Sequence, residues 1–136
     1  MVTLAVARET IYQKWVDDWG ATSAFTFDNE KYDNPADTAW VRVIVRHRGS
    51  TLECIGGTGN NTYQRTGVVF IQVFTPVDQG VAEADSLSQA ARAIFEGVSL
   101  SSNAIRFNNV VVREIGPDKS WYQINLECEF QYDERK

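Results

Sequence analysis

A chain of 136 residues, 43% hydrophobic and 23% charged, has the composition of one packed domain spanning residues 1–136, large enough to bury about two thirds of its unfolded surface. That apolar content excludes a disordered chain, and a net charge of −5 argues against a protein that coats nucleic-acid phosphates, which carries a basic footprint. The opening residues lack a basic leader followed by an apolar run, and no stretch approaches the roughly 18 apolar residues of a spanning helix, so the expectation is synthesis in the cytoplasm without a membrane anchor.

The first element is predicted as a helix over residues 3–19, where Leu4, Ala7, Ile11, Trp15 and Trp19 form one stripe and Gly20 supplies the stop. Asp17 and Asp18 sit in its last turn, where they oppose the helix dipole and answer either to solvent or to a group outside the helix. A short strand, Ala24-Phe25-Thr26-Phe27, precedes a polar loop over residues 28–37. Residues 40–47 alternate, with Val41, Val43 and Val45 toward the core and Trp40, Arg42, Ile44 and Arg46 on the other side. A brief strand at 51–55 leads into a projecting glycine-rich loop over 56–64, containing Gly57, Gly59, Asn60 and Tyr63. The run from Gly67 to Phe74 is the most apolar in the chain and belongs near the middle of a sheet. A second helix follows Gly80, with Ala84, Leu87, Ala91, Ile94 and Phe95 as its buried face, Glu83 and Asp85 in its first turn and Gly97 at its end. The last unit is a hairpin pairing residues 104–114 with 121–132, whose second strand alternates strictly from Tyr122 to Phe130.

The residues that carry chemistry elsewhere fail here as sites. His47 is the only histidine, and it is flanked by Arg46 and Arg48, whose charge disfavours the imidazolium. No nucleophile elbow accompanies it. The carboxylates of residues 28–33 alternate but lack the glycine and distal glutamate of a calcium loop. Gly56-Gly57-Thr58-Gly59 lacks the lysine and helix of a phosphate cradle. Cys54 and Cys128 form no CxxC pair, so both are expected as free thiols packed as small apolar residues. Neither catalysis, a cofactor nor a metal is expected. The surface shows a basic stripe of Arg42, Arg46 and Arg48 and an acidic stripe of Glu127 and Glu129. They are either cross-strand neighbours in one sheet or complementary patches on opposite edges, the latter suited to head-to-tail contact between copies.

Two ordered segments resemble a known family. Arg65-Thr66-Gly67-Val68-Val69-Phe70-Ile71-Gln72-Val73-Phe74-Thr75-Pro76, followed by Gly80, Ala82-Glu83-Ala84-Asp85 and Ile94-Phe95, is one. Gly116-Pro117-Asp118-Lys119-Ser120-Trp121-Tyr122-Gln123-Ile124-Asn125 is the other. Both are similar to the tail-terminator proteins of tailed bacteriophages, related in role to lambda tail protein U. The resemblance implies an α+β protomer with two helices on a mainly antiparallel sheet, and no catalytic residues. It also implies a ring, usually of six subunits, that caps the tail tube, ends its polymerisation and presents a surface to head-completion proteins. Six copies would carry a charge of about −30, so that DNA crosses a negative lumen without adhering. Candidate contacts with a neighbouring subunit or the tube are Arg42, Arg46, Arg48, Gly57, Gly59, Asn60, Tyr63, Glu127 and Glu129. The alternative of another class is a monomeric small-ligand-binding domain with a pocket of Trp and Tyr side chains. A single-strand nucleic-acid module built on Trp40 and the arginines conflicts with the acidic balance.

Overall fold

The computed structural model describes residues 2–35 and 37–136; Met1 of the leader reading and Ala36 of the expected polar loop lie outside them. The first helix, α1, runs Leu4–Trp19. Its Thr3 N-cap hydroxyl accepts the Val6 N–H at 3.3 Å, and Gly20 closes it with φ +55°. Ala7, Ile11, Trp15 and Trp19 are buried, as their spacing predicts. Leu4 is 52% exposed, contrary to the expected stripe, whose buried members begin at Ala7. The second helix, α2, spans Ala82–Phe95 and buries all five residues of the predicted face together with Ser88.

Six strands make one sheet: β1 Ala24–Phe27, β2 Trp40–Cys54, β3 Thr62–Pro76, β4 Ser99–Leu100, β5 Ile105–Asp118 and β6 Trp121–Arg135. Their spatial order is β1-β2-β3-β6-β5-β4, so β3 and β6 are central, as the apolar run and the clean alternation predict. Every pairing is antiparallel except β1 with β2. This is the expected α+β class, a mostly antiparallel sheet with two helices on it. Several boundaries differ. The two short strands expected at 40–47 and 51–55 are one strand, carried through Arg48 and Gly49 by a bulge. β3 begins at Thr62 instead of Gly67, which shortens the expected loop. The last hairpin closes on a two-residue turn at Lys119 and Ser120, with Lys119 at φ +57°.

Both helices lie on one face of the sheet, which decides where function can sit. Val41, Val43 and Val45 of β2, Val69, Ile71 and Val73 of β3, and Ile124, Leu126, Cys128 and Phe130 of β6 share a single core with the helix stripes. Aromatic contacts join the layers: Trp15 stacks on Trp19 with centroids 4.5 Å apart, and Tyr12 stacks on Phe27 at 4.1 Å. Gly67 is where the sheet is tightest. A Cβ there would stand 2.5 Å from Phe130 Cζ and 2.6 Å from the Arg46 carbonyl oxygen. Among the described residues, the opposite face of the sheet carries no helix.

Candidate assembly surfaces

The helix-free face begins with an aromatic cluster that single-strand patterns do not reveal. Trp40 stacks on Phe74 at 4.2 Å, meets Trp121 edge-on at 6.2 Å and lies 5.4 Å from Tyr32. Trp40 on the second side of β2 is therefore as buried as the valines on the first. Arg42, half-buried, lays its guanidinium 5.2 Å from the Trp40 ring. Farther along, Ile44, Phe70, Glu127 and Val111 form one row across four strands, and Arg46, Val68 and Glu129 form the next.

Those rows decide between the two readings of the charged stripes. β3 separates β2 from β6, so the arginines and glutamates share a face without being cross-strand neighbours. Nor are they on opposite edges, because β6 is interior. Their partners lie elsewhere. Arg46 bonds Asp28, just past β1, which holds the Asp28 carboxyl below its ordinary range and raises the arginine further. Glu127 pairs with Arg113 across β5 and β6. Arg48 and Glu129 are exposed and have no ion-pair partner among the described residues. The helix-terminal acids are also settled within α1: Asp18 pairs with Lys14, and Asp17 accepts from Gln13 at 2.8 Å, so no outside group is needed.

The turn between β2 and β3 is exposed from residue 55 to residue 60. Gly57 and Gly59 both have positive φ, +85° and +89°, and the Asn60 N–H closes the turn on the Gly57 carbonyl at 2.9 Å. The Gly56 N–H reaches Asn61 Oδ1 at 3.0 Å, and the Asn61 carbonyl accepts the Lys136 N–H at 2.8 Å. Ile55, 80% exposed, and Leu52, 45% exposed, stand on this arm with no core beneath them. Tyr63 at its base is half-buried beneath Arg65, whose guanidinium lies 4.7 Å from the ring and pairs with Glu134 at 3.1 Å. The exposed apolar residues Leu52, Ile55, Val111 and Ile115 were absent from the expected contacts. Exposure of Ile55 was readable from the glycines beside it, whereas exposure of the other three depends on strand pairing.

His47 faces the core side of β2, edge-on to Phe130 at 5.9 Å and to Tyr132 at 6.1 Å. Burial, then the charge of Arg8, hold its pKa below the ordinary value; Arg46 and Arg48, expected to do so, are not the cause. Neither ring nitrogen has a hydrogen-bond partner, which suits a packed imidazole and leaves no base or nucleophile arrangement around it. Cys128 is buried and its thiol is pushed up to about 12, as expected for a core thiol. Cys54 is exposed on the arm, contrary to expectation, because β2 outruns the core. Two carboxylates of the expected polar loop are engaged by protein: Asp28 by Arg46, and Glu30 by the Phe27 N–H at 3.2 Å. Among the described residues, no group of three or more His, Cys, Asp or Glu side chains could hold a metal ion. The described grooves are open and shallow, up to about 580 Å³, and none is lined by a tryptophan. None brings Trp and Tyr side chains together as the ligand-binding alternative expects; Tyr12 with Phe27 lines one and Tyr132 lines another.

A sequence model described as phage tail terminator protein matches residues 4–130, nearly the whole chain. The chain belongs to that family. A phage tail terminator is a structural protein of the virion tail that meets other tail components. No curated protein matches this terminator significantly. Among solved structures, one that is 16% identical superposes with a TM-score of 0.73, covering 97% of this chain and 96% of the other; at that identity the likeness shows the fold alone. No helix among the terminator's described residues is long and apolar enough to cross a membrane.

Proposed function

We propose that this protein acts as one domain that assembles into a ring and caps the tail tube.

 The ring ends tube polymerisation and offers its far face to the head-completion or connector protein. The observation that carries this reading is the family match over residues 4–130, joined to a surface whose unusual features are contacts rather than a reaction centre. Capping needs one ring face that fits the tube end and another that refuses a further tube ring. The projecting turn around Gly57, Gly59 and Asn60, with Ile55 beside it, is a suitable tube or subunit contact, since an exposed tip orders on assembly without disturbing the core. Arg48 and Glu129, free of partners within the described chain, join it as contact residues, while Arg42, Arg46, Tyr63 and Glu127 act by holding their own strands in place. Six copies of a −5 chain carry about −30, and a lumen of that sign lets DNA pass without specific binding.

Light scattering after size exclusion, with and without assembled tail tube, tests the ring. A discrete oligomer, expected to be a hexamer, supports it; a monomer that ignores the tube sinks it and returns the ligand-binding alternative. A ring whose inner wall is lined by Arg or Lys would contradict the lumen assignment.

A further inference from the structure

The sheet ends in two half-covered strands. β1 pairs with β2 only from Trp40 to Val43, and β4 pairs with β5 only at Ile105 and Arg106. Beyond those points the outer side of each strand has no strand partner within the chain. On β2 the first open carbonyl, Val45, accepts from Arg8 Nη2 at 3.1 Å. On β5 the Phe107 N–H donates to the Val98 carbonyl at 2.9 Å, the Asn108 carbonyl accepts from the Gly97 N–H at 3.3 Å, and Pro117 has no N–H to offer. What remains is two free runs of equal length, residues 48–54 and 109–115. Both carry exposed apolar side chains: Leu52 on the first, Val111 and Ile115 on the second. An apolar edge of this kind is a template for strand addition.

We propose that the free edge of β5 receives the free edge of β2 from a second copy of this chain, so that the sheet continues from subunit to subunit. The inference rests on the ring reading above and names the contact that builds the ring. Two observations select a second copy as the occupant. The free runs lie on opposite sides of the sheet, so the contact is head-to-tail, repeats, and closes when the rotation permits. β2 is antiparallel to β3, β3 to β6 and β6 to β5, so β2 and β5 run in opposite directions, and a neighbour that keeps the same sheet face outward presents β2 antiparallel to β5. Setting Thr51 opposite Val111 places two side chains of the helix-free face side by side across the new pair.

The test uses the full chain with Cys54→Ser, Thr51→Cys and Val111→Cys, mixed with assembled tail tubes, oxidised and run on a non-reducing gel. A ladder of linked subunits is expected, and it is lost when either introduced cysteine is omitted. Thermal melts of the cysteine variants near the parent's exclude a folding loss. An oligomer without the ladder overturns the edge pairing and leaves the ring intact. Full linkage through Val111→Cys alone means a twofold β5 contact and overturns it too. No oligomer with or without tube overturns the pairing and the ring together.

Discussion

Gly67→Ala probes the tightest point of the sheet. The new methyl would stand 2.5 Å and 2.8 Å from Phe130 Cζ and Cε1 and 2.6 Å from the Arg46 carbonyl oxygen, where carbon contacts ordinarily settle at about 3.5–4.0 Å. Neither neighbour can withdraw freely. The Phe130 ring is 2% exposed and packs on Phe107 at 5.7 Å, and the carbonyl belongs to β2, paired with β3 on either side of Gly67. Overpacking of this kind costs about 1–3 kcal/mol, and two obstructions, one of them backbone, place this site near the top of that range. At roughly 3–5 °C per kcal/mol for a chain of this size, the midpoint falls by about 8–15 °C. Urea unfolding followed by circular dichroism measures it directly, with an unchanged slope showing that the folded state is otherwise the same. Adding Phe130→Leu removes the ring contact but leaves the carbonyl, so the double variant falls short of the sum of the two single losses. A Gly67→Ala protein that unfolds at the parent's urea midpoint would refute the packing argument.

Leu126→Ala, at a fully buried centre of β6, is expected to cost about 2–5 kcal/mol by urea unfolding. A thiol reagent at neutral pH labels the exposed Cys54 at once and reaches the buried Cys128, pushed up to about 12, only as the chain unfolds; two fast thiols would place Cys128 wrongly. His47 is held below its ordinary pKa, so folded and unfolded chains are both neutral there above pH ~6.5, and below it the unfolded chain takes the proton first. Stability therefore declines as pH falls below about 6.5, and His47→Gln flattens that part of the profile; the lowered Asp28 adds a further loss only as pH falls through the carboxylate range, about 4 and below. A double-mutant cycle on the mostly exposed Arg113 and the better-covered Glu127 is expected to give about 1 kcal/mol or less.

Periodicity within one element read well from the sequence. The α2 stripe, the valine face of β2 and the alternation of β6 are all buried as their spacing requires, because each depends on one element meeting one core. What depends on pairing between elements did not read well. Nothing in Ala24-Phe25-Thr26-Phe27 marks it as parallel to β2, and nothing in Trp40 marks its second face as covered by Phe74, Trp121 and Tyr32. Cys54 was expected inside as a small apolar residue, yet β2 extends beyond the helices that would cover it. The charged stripes were visible as residues, but their relation to each other waited on the placement of β3 between them. The open edges of β2 and β5 follow from the shortness of β1 and β4, which no local pattern announces.

The central claim is that this protein ends the growth of a tail tube. Tube protein polymerised with and without it, with lengths and ends measured by electron microscopy, tests that claim most directly. The account predicts that growth stops when the protein is added and that extra density of ring shape sits at one end of each tube. Tubes that keep lengthening in its presence, or that bear it along their sides and at neither end, would contradict it.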